Sequence, residues 1–159
     1  VGGEAFAQKN KLGTLFWGFD PEKKVRNVST ASLAQELANG AKRLEVEIRV
    51  IYFQGEVKPR TPNTAFVFGL LATSKEHNFD KENSLKFVVD GKEIEVGTGQ
   101  RFWRENPAGV QELIQYRIAR TDLAAIANAN RVTVHAGGFS GPVSSELRDT
   151  ILKLFGAVN

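Results

Sequence analysis

The sequence predicts an α+β domain, in which helices cover an antiparallel β-sheet or small sandwich of five to six strands. Three observations lead to this prediction: stretches in which apolar and polar residues alternate, turn residues between those stretches, and segments with helical periodicity near both ends. The alternation indicates strands with one buried and one solvent-exposed face, which is typical of antiparallel pairing. The chain has 159 residues, 42% of them hydrophobic, which is enough for one domain with a substantial core.

The chain is predicted to divide into two regions. Residues 1–28 show little periodicity and are predicted to form an N-terminal arm, whereas residues 29–159 are predicted to form a single globular domain. An N-terminal helix is expected over 29–40, because Leu33 and Leu37 lie four residues apart and Gly40 can supply a left-handed stop.

Two further helices are predicted in the second half of the chain. The alanine-rich segment near 121–128 reads as a short helix, which Thr121 can cap. A C-terminal amphipathic helix follows, capped by Ser144 or Ser145 and ended by Gly156. Its apolar stripe consists of Leu147, Ile151, Leu154 and Phe155.

The strands are predicted from alternation and from apolar runs. The clearest strand covers 43–53, where apolar residues alternate with charged ones. The run at 64–74 is rich enough in β-branched and aromatic residues to be a buried strand. Alternation recurs at 112–120, and 131–137 reads as another strand. Residues 85–97 predict a hairpin, since Asp-Gly at its centre suits a two-residue type I′ turn.

One segment combines cations with large aromatic residues, and it is the candidate binding site. Arginine and tryptophan are residue types that anchor interfaces and stack on ligands. The alternative is that Trp103 covers one end of the core while the arginines reach water. The predicted binding residues are Arg101, Phe102, Trp103 and Arg104.

The stretch that contains Ser140 suggests a nucleophile elbow but has the wrong spacing. Gly138 precedes the serine by two residues, whereas the position two residues after it is Pro142. His135 is only five residues away, and no acid is evident to orient it. A strand-to-helix turn is therefore the preferred interpretation, and a serine hydrolase that uses Ser140 and His135 is the least favoured hypothesis.

No metal or cofactor site is predicted. The chain has no cysteine and two histidines, His77 and His135, which are far apart. His77 lies in a charged segment without the glycine and the ligand spacing of a calcium loop, so a solvated loop is expected there. The motif at 97–102 has Phe102 where a dinucleotide fingerprint has its third glycine. Gly97 and Gly99 instead indicate a bulge or a strand end.

Charge and targeting signals limit the partners and the compartment. The formal net charge is +3 and is evenly spread, which does not favour nucleic acid as a partner. No apolar run is long enough to span a membrane. The missing cysteines and the small-x-small pattern at 5–7 favour a periplasmic or secreted location, with a cytoplasmic one as the alternative.

These observations favour a non-catalytic binding or assembly domain, exported or envelope-associated, whose protein or small-molecule partner the sequence does not identify. The set of a nucleophile, a base and an orienting acid is not found in the sequence, so an enzyme is not expected. The alternative is a domain with a cavity for a small apolar or aromatic ligand. The residues that could line such a cavity are Trp17, Phe66, Phe68, Phe87 and Trp103.

Overall fold

The computed structural model describes residues 8–9, 15–22, 25–55 and 66–158. In this part of the chain, twelve antiparallel strands form one sheet that curls into a half-barrel, and two helices accompany it. The strands are β1 (Gln8–Lys9), β2 (Leu15–Asp20), β3 (Val25–Thr30), β4 (Leu33–Asn39), β5 (Lys42–Gly55), β6 (Phe66–Ser74), β7 (Leu85–Val89), β8 (Lys92–Gly97), β9 (Gln100–Asn106), β10 (Gly109–Ile118), β11 (Val132–Ala136) and β12 (Phe139–Pro142). The helices are α1 (Arg120–Asn128) and α2 (Ser145–Val158).

The predicted α+β domain with five to six strands and an N-terminal helix is wrong, because the protein is mostly β. The segment expected to be that helix forms the end of β3 and the whole of β4. Leu33 and Leu37 are four residues apart, a spacing that also places them on the same face of a strand. There they pair with Ile48 and Leu44 of β5, and this pairing outweighs the helical propensity of the segment. Gly40, at φ 60°, turns the chain from β4 into β5.

The long strand β5 organises the sheet. One of its edges pairs with β6, which continues the sheet through β10 to β9. Its other edge pairs with β4 along the first half and with β3 along the second half. From β4 the sheet continues through β12, β11 and β7 to β8, and from β3 through β2 to β1. Strand β2 and the first four residues of β3 lie within the predicted arm 1–28 and are thus members of the same sheet. Whether that region is a separate unit stays a prediction.

The turn at Asp90–Gly91 was predicted correctly, whereas the strand-to-helix turn expected around Ser140 is wrong, because strand β12 follows β11 in a hairpin before α2 begins. Asp90 and Gly91 connect β7 to β8 with φ values of 49° and 85°, as a type I′ turn requires. Gly137, at φ 56°, lies in the turn between β11 and β12. A Cβ at Gly137 would lie 2.7 Å from the carbonyl oxygen of Glu82, so this turn needs glycine for space as well as for conformation.

The concave face of the sheet, which carries the buried residues, forms the core together with the helices. Phe66, Phe68 and Phe87 are all at most 1% exposed. The rings of Phe68 and Phe87 meet edge to face at 5.4 Å, and Phe66 meets Phe155 of α2 in the same way at 5.6 Å. Three of the residues proposed as a cavity lining therefore pack as ordinary core; the side chain of Trp17 lies outside the described residues.

The two helices partly match their predictions. The Ser144 hydroxyl accepts a hydrogen bond from the amide of Leu147 at 3.2 Å, which is the expected cap of α2. The predicted stop at Gly156 is wrong, since α2 continues to Val158. The cap position of α1 is Ala119 and not Thr121. In the described part of the chain, neither helix has the length and apolar character that crossing a membrane requires.

Candidate functional site

Strand β9 lies at an edge of the sheet, and it carries all four predicted binding residues. Within the described residues it pairs with β10 on one side and with no strand on the other. Pro107 and Ala108 form the loop between the two strands. Asn106 fixes this loop, because its Oδ1 accepts the amides of Ala108 at 2.9 Å and of Gly109 at 3.1 Å.

The four predicted residues divide between the two faces of the sheet. Because successive strand side chains point to opposite faces, Arg101 and Trp103 lie on one face and Phe102 and Arg104 on the other. The face of Arg101 and Trp103 is the concave one, since Trp103 pairs with the buried Glu112. The side chain of Trp103 is nevertheless 58% exposed and that of Phe102 46% exposed. Trp103 is therefore a surface residue and does not cover the end of the core.

A buried carboxylate holds Arg101. Glu112 is 1% exposed, and its Oε2 accepts a hydrogen bond from Nε of Arg101 at 3.0 Å and lies 2.9 Å from Nη2 of the same guanidinium in an ion pair. Oε1 accepts the amide of Asn78 at 2.7 Å, and Oε2 also accepts that of Phe79 at 2.9 Å. The negative charge is thus met by one guanidinium and two backbone amides, which is what a buried charge needs.

His77 extends this network toward solvent. Its Nδ1 lies 2.5 Å from Nη2 of Arg101, and its Nε2 lies 2.6 Å from Oε1 of Glu105. Arginine has only donors, so Nδ1 accepts and the ring proton is on Nε2, which donates to Glu105. His77 thereby joins the loop before β7 to strand β9. This loop is largely exposed, as the sequence predicted, but the network that His77 forms within it was not expected.

The network positions the exposed indole of Trp103. The guanidinium carbon of Arg101 lies 4.7 Å from the centre of the Trp103 ring, within cation–π range. The imidazole of His77 approaches the same indole with ring centres 6.4 Å apart. Because Glu112 holds the guanidinium of Arg101 in place, the indole of Trp103 packs against a side chain that has little freedom to move. The arrangement presents a large, fixed apolar surface to solvent.

The network offers no evident metal site. Both ring nitrogens of His77 already have partners, and Arg101 places a positive charge beside them. No group of three potential ligands among histidine, aspartate and glutamate occurs in the described part of the chain.

His135 and Ser140 face each other across β11 and β12. No hydrogen bond between their side chains occurs within the described residues, although the strand pairing makes them direct neighbours. On its other side, His135 pairs with Lys86 of β7, which is a cation and not the acid that a catalytic triad uses. The structure therefore gives the hydrolase hypothesis no support.

A cleft of about 320 Å3 lies where β8 approaches β10. Val67 and Val96 supply its apolar lining, and glutamine, threonine and arginine side chains make up much of the rest. The lining residues are Val67, Val96, Thr98, Gln100, Gln115, Tyr116 and Arg117. Its volume is at the lower end for small-molecule sites, and none of the five aromatic residues proposed as a cavity lining contributes to it.

Sequence reasoning missed three members of the network, namely His77, Glu105 and Glu112. A signal for Glu112 exists: alternation through Ile114 and Tyr116, extended back by one step, places a carboxylate on the buried face of β10. A buried carboxylate requires a cation, and Arg101 on the adjacent strand supplies it. No pattern in the sequence links His77 to β9, because that contact depends on how the loop before β7 folds.

Comparison of the chain with family models, with curated proteins and with solved structures gives no match. Function is therefore inferred from the residues of the site.

Proposed function

We propose that this protein is a non-catalytic binding domain that takes up an extended segment of a protein chain along β9. The contact surface, here called the β9 edge, consists of residues 101–105 with the backbone of the free side of the strand. The observation that carries the proposal is the exposed indole of Trp103, held by Arg101 at 4.7 Å while Arg101 is anchored on buried Glu112.

Preorganisation is the physical reason why this indole suits an interface. Binding normally costs the entropy of the side chains that become ordered. The Trp103 ring already rests on a fixed guanidinium, so less of that entropy remains to be lost. Tryptophan and arginine at the centre of a contact are also the residue types that contribute most to protein association. Phe102, 46% exposed on the opposite face, adds a second apolar anchor.

The backbone of β9 favours an extended partner. The outer side of an edge strand carries unpaired N–H and C=O groups, and a peptide can satisfy them as an added strand. Such a peptide would place alternate side chains against Trp103 on one face and against Phe102 and Arg104 on the other. Among the described residues Arg104 bonds to the neutral Gln111, at 2.8 Å, so its charge is available to an acidic side chain of the partner.

The small-ligand hypothesis has weaker support. The cleft between β8 and β10 is an alternative site, but its lining is largely polar and Tyr116 is the one aromatic residue among the described residues that line it. It would suit a small polar molecule better than the apolar or aromatic ligand that the sequence suggested. A periplasmic or secreted location stays a prediction from the sequence.

Selection from a displayed peptide library tests the proposal. Peptides would be selected on the wild-type protein and counter-selected on Trp103→Ala, with Leu152→Ala as the matched control. Leu152 is another exposed large hydrophobic residue, but it lies on α2. We expect peptides whose binding requires Trp103 but not Leu152, and that protect the amides of β9 from hydrogen exchange. Peptides that bind Trp103→Ala equally well, or that protect amides elsewhere, would contradict the proposal.

A further inference from the structure

We infer that two copies of this chain pair through β9, antiparallel and in register about Trp103. The inference rests on the proposed function and names its partner: the segment that occupies the β9 edge is β9 of a second copy. It follows from three properties of the strand, namely which backbone groups are free, which side chains oppose one another in each possible register, and which apolar groups are exposed.

The free backbone groups belong to alternate residues. A two-residue loop closes a hairpin on a hydrogen-bonded pair, here Asn106 with Gly109. Since antiparallel pairs alternate, the N–H and C=O groups of Arg101, Trp103 and Glu105 then point away from β10. No backbone or side-chain hydrogen bond of the described residues uses these outward groups. They form a row of donors and acceptors that another strand can meet.

This alternation restricts how two copies can pair. Outward groups must meet outward groups, so odd-numbered residues must lie opposite odd-numbered residues. The candidate registers are therefore those that place Trp103 opposite Trp103, Arg101 or Glu105 of the second copy. Only the first of them aligns the whole strand, Gln100–Asn106, with its copy.

The side chains select the first register. With Trp103 opposite itself, Arg101 faces Glu105 of the second copy, and the reciprocal pair forms by symmetry. Opposite charges on directly paired residues stabilise a sheet. On the other face, Phe102 opposes Arg104, which allows a cation–π contact. Placing Trp103 opposite Glu105 would instead set Arg104 against Arg104, and placing it opposite Arg101 would form no Arg–Glu pair.

Exposed apolar surface accompanies this self-complementary pattern. Phe102 and Trp103 are two of the three exposed large hydrophobic residues among those described, and they are consecutive on the unpaired strand. An exposed edge strand with adjacent aromatic residues is a site for strand pairing. Pairing of two single strands buries less surface than most stable dimers, so we expect a reversible dimer that depends on concentration.

Cysteine cross-linking reads out the register directly, because the chain has no native cysteine. In the proposed register Phe102 opposes Arg104 in a non-hydrogen-bonded pair, with Cα atoms about 4.5 Å apart, a separation a disulfide can bridge. Under mild oxidation, an equal mixture of Phe102→Cys and Arg104→Cys should give a linked heterodimer. Self-linked Phe102→Cys alone would indicate the register with Trp103 opposite Arg101. Self-linked Arg104→Cys alone would indicate the register with Trp103 opposite Glu105. Either product as the main species would overturn the inference.

Sedimentation equilibrium provides the second measurement. The wild type should show a monomer–dimer equilibrium, and Glu105→Arg should weaken it at least about tenfold, because two Arg–Glu pairs become Arg–Arg pairs. Glu45→Arg makes the same charge change at an exposed residue of β5 and should leave the equilibrium unchanged. A chain that is monomeric at all concentrations and gives no cross-link would refute the dimer. The proposed function would then stand if selected peptides still require Trp103, and would fall with the dimer if none does.

Discussion

Arg101 and Glu112 form an ion pair in which Nε of Arg101 donates a hydrogen bond to Oε2 of Glu112 at 3.0 Å and Nη2 lies 2.9 Å from the same oxygen. The carboxylate is 1% exposed and the arginine side chain 13% exposed, so the ion pair lies largely out of water. It joins the core to the surface: Glu112 belongs to the buried face of β10, whereas Arg101 carries the exposed indole of Trp103. Stability and the proposed binding surface therefore depend on the same pair.

Replacing Arg101 should destabilise the fold strongly. Arg101→Ala leaves the charge of Glu112 buried without its cation, and we expect the free energy of unfolding to fall by about 3 kcal/mol or more. Urea denaturation followed by circular dichroism measures this change. The matched control is Arg104→Ala, on the same strand but exposed, which should cost less than about 0.5 kcal/mol. Equal losses for the two variants would mean that the buried pair does not hold β9.

Two glycines should respond in opposite ways to alanine. A Cβ at Gly99 would lie 2.5 Å from Cγ2 of Ile114 and 2.8 Å from the ring of Tyr116. Gly99→Ala should therefore overpack the junction of β8 and β9 and cost about 1–3 kcal/mol. Gly156 lies within α2 and has open space where a Cβ would be, so Gly156→Ala should stabilise the protein by about 0.5–1 kcal/mol. In thermal unfolding, the midpoint temperature of Gly99→Ala should lie below that of the wild type, and the midpoint temperature of Gly156→Ala above it.

Asp90 has two functions in the turn between β7 and β8. It adopts a positive φ of 49°, and its Oδ1 accepts the amides of Asn130 at 3.1 Å and of Arg131 at 2.9 Å. Asp90→Ala should lower the free energy of unfolding by about 2 kcal/mol, because it loses both acceptors and strains the backbone. Asp90→Asn tolerates the same φ and keeps one oxygen, so denaturation should show a smaller loss. A larger loss for asparagine than for alanine would contradict this account.

Tyr116 should make stability fall in alkaline solution. Its hydroxyl donates to the carbonyl of Asn83 at 2.6 Å, and burial, helped by the charge of Glu82, raises the pKa of the phenol. Above pH of about 10 the unfolded chain therefore ionises this group while the folded chain does not. The free energy of unfolding should then decrease by up to about 1.4 kcal/mol per pH unit.

The variant Tyr116→Phe separates this effect from the rest of the protein. At neutral pH it should be less stable than the wild type by about 1 kcal/mol, because the hydrogen bond is lost. Between neutral pH and about 10 the difference should stay constant, and above that it should shrink, since phenylalanine does not titrate. Unfolding measured across this pH range checks the prediction. Parallel curves for the two proteins would show that Tyr116 ionises equally in both states.

Local patterns predicted the strands that alternate and the turns that require special backbone angles. The strand at 43–53 and the Asp90–Gly91 turn were found as predicted, because each depends on residues that are adjacent in the chain. The segment 29–40 was predicted wrongly, because Leu33 and Leu37 fit both a helix face and a strand face. Pairing with β5, a long-range contact, selected the strand.

The candidate site likewise combines residues that the sequence could predict with contacts that only the tertiary structure decides. Arg101, Phe102, Trp103 and Arg104 could be selected from composition alone, since two large aromatic residues lie there between two arginines. Their placement on an unpaired edge could not, because nothing local distinguishes an edge strand from a central one. His77 and Glu112 belong to the site only in the folded protein, in which the loop before β7 and strand β10 both contact Arg101.

The sequence by itself determined which segments alternate between apolar and polar residues, where the chain can form tight turns, and which side chains are suited to binding. Tertiary structure decided which strands have a neighbour on both sides, which carboxylate is buried beside Arg101, and that Trp103 faces solvent. The physical reason is the sequence separation of the residues involved. Alternation and turn angles depend on a few consecutive residues, whereas burial and strand pairing depend on segments that are distant in sequence and become neighbours only in the folded protein.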